Sequence, residues 1–260
     1  MEKITSLQNP LIKKAQALRE ARDRREQGMT IIDGAREIRR AFEAGIALEK
    51  VFYVDGQQEG LLKKIVSKKV ELIEVSSQVM EKLAYGERHE GIIALAKIPQ
   101  LSLKDLKLSR EPLVVVLESL EKPGNLGAIL RTCDGVGVEA VLVCDPRTDV
   151  YNPNVIRSST GVIFSIPVVS STSQGIYTFL RSKKIRICAT APLAPKKYTQ
   201  IDYKGAWAFV LGSEDKGISD SWNALADLTV KIPMNGLADS LNVSISAAII
   251  LYEALRQRTT

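Results

Sequence analysis

The sequence predicts an α/β protein of two domains, the second built on a mainly parallel sheet. Three observations predict it. Strand-like apolar runs alternate with helical segments along the chain. Pro112-Leu-Val-Val-Val-Leu117 is continuously apolar, as in a strand buried on both faces of a parallel sheet. The last third repeatedly passes from an apolar run through a polar loop into a helix. That is how α/β folds place ligand sites at the carboxyl edge of a sheet.

A chain of 260 residues holds one large or two ordinary domains, and its 45% hydrophobic and 25% charged content supports a packed core. No stretch reaches the roughly 18 apolar residues that span a bilayer. The opening Met1-Glu-Lys-Ile-Thr-Ser lacks the apolar region of a signal peptide, so a cytoplasmic location is expected. Cys133, Cys144 and Cys188 are widely spaced in apolar contexts, match no zinc pattern and read as buried free thiols. His89 is the sole histidine. This argues against a histidine metal site and against a Ser-His-Asp hydrolase, and no Gly-x-Ser-x-Gly elbow occurs. The net charge is +6, and residues 1–111 hold 21 of the basic residues against 17 acidic ones. The excess is therefore mainly amino-terminal, which suits a nucleic-acid partner without requiring one.

Residues 1–97 read as a small α/β domain. Asn9-Pro10 caps a helix that runs through Leu11, Ile12, Ala15, Leu18 and Ala21 to Gly28. Its polar positions carry Lys13, Lys14, Arg19, Arg22, Arg24 and Arg25, either a solvated face or a set of phosphate contacts. Strands are expected at Thr30–Asp33, Val51–Val54, Val70–Val75 and Gly91–Ala96, with helices at 34–44, 59–69 and 78–85. His89 reads as a strand-entry residue. Residues 98–111, with Pro99 and several charges, read as a linker.

Residues 112–260 read as the second domain. Strands are expected at 112–117, 140–144, 164–168, 185–190, 207–211 and 228–232. Helices are expected at 125–136, 153–159, 175–182, from about Ser219, and at 241–256, the last capped by Ser240.

Three strand-exit loops carry the chemistry. Gly124-Asn-Leu-Gly-Ala-Ile-Leu-Arg131 resembles a phosphate turn but is neither Gly-x-Gly-x-x-Gly nor a P-loop. Asn125 is either a helix cap or a ligand group there, and Arg131 either a surface residue or a second one. Leu211-Gly-Ser-Glu-Asp-Lys-Gly217 has two glycines that let backbone approach a ligand, and Glu214 either orients polar groups or caps the next helix. Ile232-Pro-Met through Ser240-Leu-Asn-Val-Ser244 is the third. Three such loops leaving one parallel sheet converge on one pocket.

In order and spacing these runs resemble the three motifs of the SpoU family of RNA 2′-O-methyltransferases, within the SPOUT superfamily. Asn125-x-Gly127-x-x-x-Arg131, Leu211-Gly-x-Glu214-x-x-Gly217 and Ile232-Pro-Met with Ser240-Leu-Asn-Val-Ser244 carry the resemblance. The first domain resembles the family's substrate-binding module, with Glu90 where the family often has glutamine.

The resemblance implies a deep trefoil knot near the carboxyl terminus and a homodimer. It implies S-adenosylmethionine as cofactor, no metal, and RNA as substrate, with ribosomal RNA expected and transfer RNA the alternative. Cofactor contacts would come from Thr190, Ala191, Leu211, Gly212, Gly217, Ile232, Met234, Leu241, Asn242 and Ser244. Arg131, Asn125, Glu214, Ser240 and Asn242 would form the catalytic set, Arg131 as base or as the group orienting hydroxyl and phosphate. Lys13, Lys14, Arg19, Arg22 and Arg25 would contact RNA. Competing readings are a non-catalytic RNA-binding assembly protein and a generic nucleotide-binding enzyme.

Overall fold

The computed structural model describes residues 3–66, 70–85, 90–146, 149–213 and 216–259. The chain forms two units, Met1–Gln100 with Asp149–Ser165, and Leu101–Thr148 with Ile166–Thr260. The boundary near residue 100 lies close to the expected one, but residues 149–165 join the first unit instead of the second.

In the first unit, α1 (Pro10–Ala17) and α2 (Ala21–Gln27) precede β1 (Met29–Asp33) and α3 (Ala35–Glu43). Then come β2 (Leu48–Tyr53), α4 (Glu59–Val66), β3 (Glu71–Glu74), α5 (Ser77–Leu83) and β4 (Ile92–Lys97). The strand order is β1-β4-β2-β3, antiparallel except for β2 with β3. Ile31, Phe52, Ile73 and Ile93 pack on one side against Ile12 and Ala15 of α1 and Val79 and Met80 of α5.

The single amino-terminal helix expected to Gly28 is two helices. Arg24, expected on the polar face, is 1% exposed. Its guanidinium donates to the carbonyls of Leu18 at 2.8 Å and Arg19 at 2.6 Å, which the break after Ala17 frees from helical pairing. Its Nε donates to Asp149 at 2.6 Å. A buried cation thus holds the break and ties residues 149–165 to the unit. The same segment is held by Thr30 Oγ1 donating to the Tyr151 carbonyl at 2.9 Å and by Arg40 donating to Thr160 Oγ1 at 2.8 Å. It contains α7 (Pro153–Ser158), capped by Asn152.

The expected linker is not free chain. Ser102 caps a short 3-10 turn over Leu103–Asp105, and Leu106 is buried in the second unit's core.

In the second unit, β5 (Leu113–Glu118), α6 (Pro123–Val136) and β6 (Ala140–Cys144) come first. After the excursion to the first unit follow β7 (Val168–Ser171), α8 (Ser173–Ser182) and β8 (Arg186–Thr190). β9 (Lys196–Lys197), β10 (Trp207–Leu211), α9 (Asp220–Leu225), β11 (Leu228–Lys231) and α10 (Val243–Thr259) complete it. The extended segment expected at 164–168 begins as a 3-10 turn over Val162–Phe164, and strand pairing starts only at Val168.

The sheet order is β7-β6-β5-β10-β8-β11-β9, and every pairing is parallel. Ile176 and Leu180 of α8 and Trp222 of α9 pack on one face against Val114, Val116, Ala208 and Val210. α6 packs along α10. β5 and β10 are buried at every position, as a strand covered on both faces must be. Burial also pushes up the thiols of Cys144, to about 11, and Cys188, to about 12.

Replacing Asp149 by alanine leaves the Arg24 guanidinium buried without its carboxylate. The expected cost is about 3–5 kcal/mol of unfolding free energy, read from the urea midpoint; a loss under about 1 kcal/mol would show the pair to be dispensable.

Candidate active site

Because the sheet is all parallel, the carboxyl ends of its strands share one edge. The sheet changes winding direction at β5: β6 and β7 lie on one side, and β10, β8, β11 and β9 on the other. Such a reversal opens a crevice at the carboxyl edge. The loops leaving β5, β10, β8 and β11, four adjacent strands, meet there.

The loop after β5 leads into α6, which begins at Pro123 rather than at Asn125 as expected. Its cap residue, Lys122, makes no side-chain capping bond. Asn125 is therefore inside the first turn, and the helix-cap reading of it does not hold. Its Oδ1 accepts from Asn242 Nδ2 at 3.3 Å, bridging the first and third loops. Its Nδ2 is buried without a partner among the described residues. A buried donor left unpaired costs free energy unless a ligand supplies the acceptor.

Arg131 lies on the exposed side of α6 and makes no hydrogen bond or ion pair among the described residues. Six residues separate it from Asn125, so the two do not share a helix face.

The loop after β10 turns on itself. Ser213 N donates to the Gly217 carbonyl and Gly217 N to the Ser213 carbonyl, both at 3.0 Å. A Cβ on Gly212 would lie 2.0 Å from the Gly217 carbonyl carbon and 2.3 Å from Ile218 N. Both are backbone atoms that cannot give way, so only glycine fits. Gly217 has φ +65°, which also favours glycine. Glu214 lies outside the described residues, as does His89.

The loop after β11 runs to α10, which starts at Val243, later than expected. Asn242, not Ser240, caps it. Asn242 Oδ1 accepts from Ser244 N at 2.9 Å, and the Asn242 carbonyl accepts from Ile245 and Ser246 N at 3.0 Å. Ser240 sits two residues before the cap and is exposed. Among the described residues, none gives the stretch 234–241 a hydrogen bond. Ile232, Met234 and Leu241 are half-buried along it.

At the end of β8, Thr190 Oγ1 donates to the Val210 carbonyl at 3.2 Å, and Ala191 N to the Val230 carbonyl at 3.0 Å. Leu211 and Gly212 are buried at the end of β10. Thr190, Ala191, Leu211, Gly212 and Ile232 thus stand at the carboxyl ends of three neighbouring strands.

Glu118 is a residue that sequence reasoning passed over. It ends β5, is 7% exposed, and its carboxylate accepts from Ser219 N at 2.8 Å. It fixes the exit of the β10 loop to the central strand. The signal was an acid closing a fully apolar run.

Of the cations expected to meet RNA, Lys13, Lys14 and Arg25 are exposed. Arg22 is exposed and pairs with Glu26 at 2.8 Å, a weak surface contact. Arg19 is a correction: it is turned inward and donates to the Leu83 and Ala84 carbonyls at the end of α5. No group of metal-binding side chains occurs among the described residues, and no described helix is long and apolar enough to cross a membrane.

The sequence model of the SpoU rRNA methylase family matches residues 112–252. The chain belongs to that family. Residues 9–94 match the MRM3-like substrate-binding domain. A 23S rRNA uridine 2′-O-methyltransferase of Streptomyces viridochromogenes is 32% identical over 98% of this chain and 92% of its own length. The crystal structure of an RNA 2′-O ribose methyltransferase is 41% identical, with a TM-score of 0.87 and full coverage of both chains. The SpoU methyltransferase AviRb from Streptomyces viridochromogenes, solved with S-adenosylmethionine, is 28% identical, with a TM-score of 0.90 over 97% of this chain and 99% of that one.

Gly212→Ala forces the β10 loop out of its close approach and is expected to lower stability by about 1–3 kcal/mol in urea unfolding. Gly236→Ala, with nothing within 4 Å of the added carbon, is the control and should leave stability unchanged. Equal stability of the two variants would contradict the packing described for Gly212.

Proposed function

We propose that this protein transfers a methyl group from S-adenosylmethionine to a ribose 2′-hydroxyl of RNA, with 23S ribosomal RNA as substrate. The observation that carries the reading is the Asn125–Asn242 bridge with its unpartnered buried Nδ2, on the edge where the motif loops of the SpoU family meet.

The residues fit the cofactor. The 234–241 backbone has polar groups to offer, half-buried Ile232, Met234 and Leu241 provide apolar surface, and Thr190, Ala191, Leu211, Gly212 and Gly217 stand at or just beyond the ends of the neighbouring strands. Asn242 and Ser244 complete the set. S-adenosylmethionine supplies an electrophilic sulfonium methyl. The chain must hold the 2′-hydroxyl in line and help its proton leave, since a neutral hydroxyl is a poor nucleophile.

Asn125 and Asn242 position the ribose, and Ser240, exposed in the third loop, adds a hydroxyl. Arg131 is the cation of the set. A guanidinium stays protonated in proteins, so Arg131 acts by orienting the hydroxyl and neighbouring phosphate. Glu214, outside the described residues, is kept in the set on the motif alone. The amino-terminal domain binds the RNA substrate, with Lys13, Lys14, Arg22 and Arg25 as phosphate contacts, and no metal takes part. The knot and a cytoplasmic location belong to the same reading.

The protein works as a homodimer through α6 and α10. Ile245 and Tyr252 are seven residues apart on one face of α10 and are 51% and 52% exposed. Beside Tyr252 lies Gly135 of α6, where an added Cβ would sit 3.0 Å from the Tyr252 hydroxyl. Exposed apolar side chains on one stripe suit a second copy.

The deciding experiment supplies labelled S-adenosylmethionine with unmodified ribosomal and transfer RNA pools and maps the product. Labelled 2′-O-methyl nucleotide in 23S RNA is expected, and Arg131→Ala, which removes an orienting group, should lower turnover by about 10² or more. Label in transfer RNA alone would replace the substrate, and normal turnover in the variant would remove Arg131 from the site. Ile245→Glu with Tyr252→Glu should convert a sedimenting dimer to monomer; an unchanged sedimentation coefficient would place the interface elsewhere.

A further inference from the structure

One edge of the seven-stranded sheet is β9, whose two residues, Lys196 and Lys197, are both exposed. The parallel register sets Lys197 beside Lys231 of β11, and Lys196 beside buried Val230. Register partners in a ladder carry their side chains on the same face, so Lys197 and Lys231 are neighbours there. Like charges set opposite each other destabilise a ladder. Among the described residues, none of the three lysines has an ion-pair partner.

Lysines on an edge strand guard it against pairing with another chain, which accounts for Lys196 and Lys197. It does not account for Lys231, which lies on the strand inside that edge. Nor does it account for Leu193 and Leu237, which are 95% and 103% exposed in the loops leaving β8 and β11. An edge protected against association would not carry two fully exposed leucines in the adjoining loops. Lys231 also directly precedes Ile232, where the third motif loop begins. The charge concentration therefore stands at the carboxyl edge of the catalytic unit itself. Exposed Lys216, in the loop after β10, adds to it.

We propose that Lys197 and Lys231 form a phosphate anchor for the RNA strand at the mouth of the methyl-transfer site, with Leu193 and Leu237 giving apolar contact to bases beside it. This rests on the RNA reading above. A polyanion relieves the repulsion between the two ammonium groups, and it is the partner whose charge matches the edge. Phosphate contact fixes the register of a strand without reading its sequence, so the anchor serves positioning rather than base choice.

The test measures binding of transcribed 23S rRNA to the full-length protein across a series of sodium chloride concentrations. Wild type is compared with Lys197→Ala/Lys231→Ala and with Lys197→Arg/Lys231→Arg. S-adenosylmethionine affinity is measured for all three. Loss of two phosphate contacts should make the log–log salt slope shallower by about 1.4–1.8 and weaken binding about tenfold or more at low salt. The arginine pair should restore both, and cofactor affinity should not change. Wild-type slope and affinity in the alanine pair would overturn the anchor while leaving the methyltransferase reading intact. Absence of salt-dependent RNA binding by the wild type would overturn both. Weaker binding of the alanine pair that the arginine pair fails to rescue would show a structural effect and reject the anchor.

Discussion

The constraint on which the second unit depends is the central slot of its sheet. β10 pairs with β5 on one side and β8 on the other, yet it follows both in the chain. β5 and β10 are buried at every position. Neither can face water, so each must have neighbours on both sides and helices on both faces. Filling that slot late brings the loops after β5 and β10 side by side. The crevice between them is thus a by-product of where the strand has to go.

Within that crevice the backbone is held by few but specific contacts. Glu118 fastens the exit of the β10 loop, the approach of Gly212 to Gly217 closes its neck, and the Asn125–Asn242 bridge links the first and third loops. Each uses a residue type that a neighbouring choice would not replace. Glutamate reaches an amide from a strand end, glycine leaves room for backbone, and asparagine both donates and accepts. Asn242 does two tasks at once, since its Oδ1 starts α10 while its Nδ2 reaches Asn125. The helix start and the site are therefore set by one side chain.

How much of this was legible depends on the range of the forces involved. β6 and β10 were read to the residue because an unbroken apolar run is a local signal. The convergence of three loops was legible from the repeated strand, loop and helix grammar, and the family from their motif spacing. The break between α1 and α2 was not, because it rests on Arg24 finding Asp149, 125 residues away. No window of sequence shows that a polar-face arginine is buried. β9 was invisible for the opposite reason: two lysines carry no strand signal, and only the register of β11 makes them one. Ser240 is the expected cap of the last helix, but Asn242 takes that place, where it also contacts Asn125.

Residues 149–165 leave the second unit and return to it, so the polypeptide crosses between the two units at three places rather than one. No single scission can therefore release either unit intact. A fragment beginning after residue 100 carries Tyr151, Val155, Ile156 and Ile163, all buried in the whole chain, without the first unit's own residues to cover them. Exchange of the first unit between relatives must carry this inner stretch along or rebuild its contacts. The two matched regions are separable by name but not by a single cut.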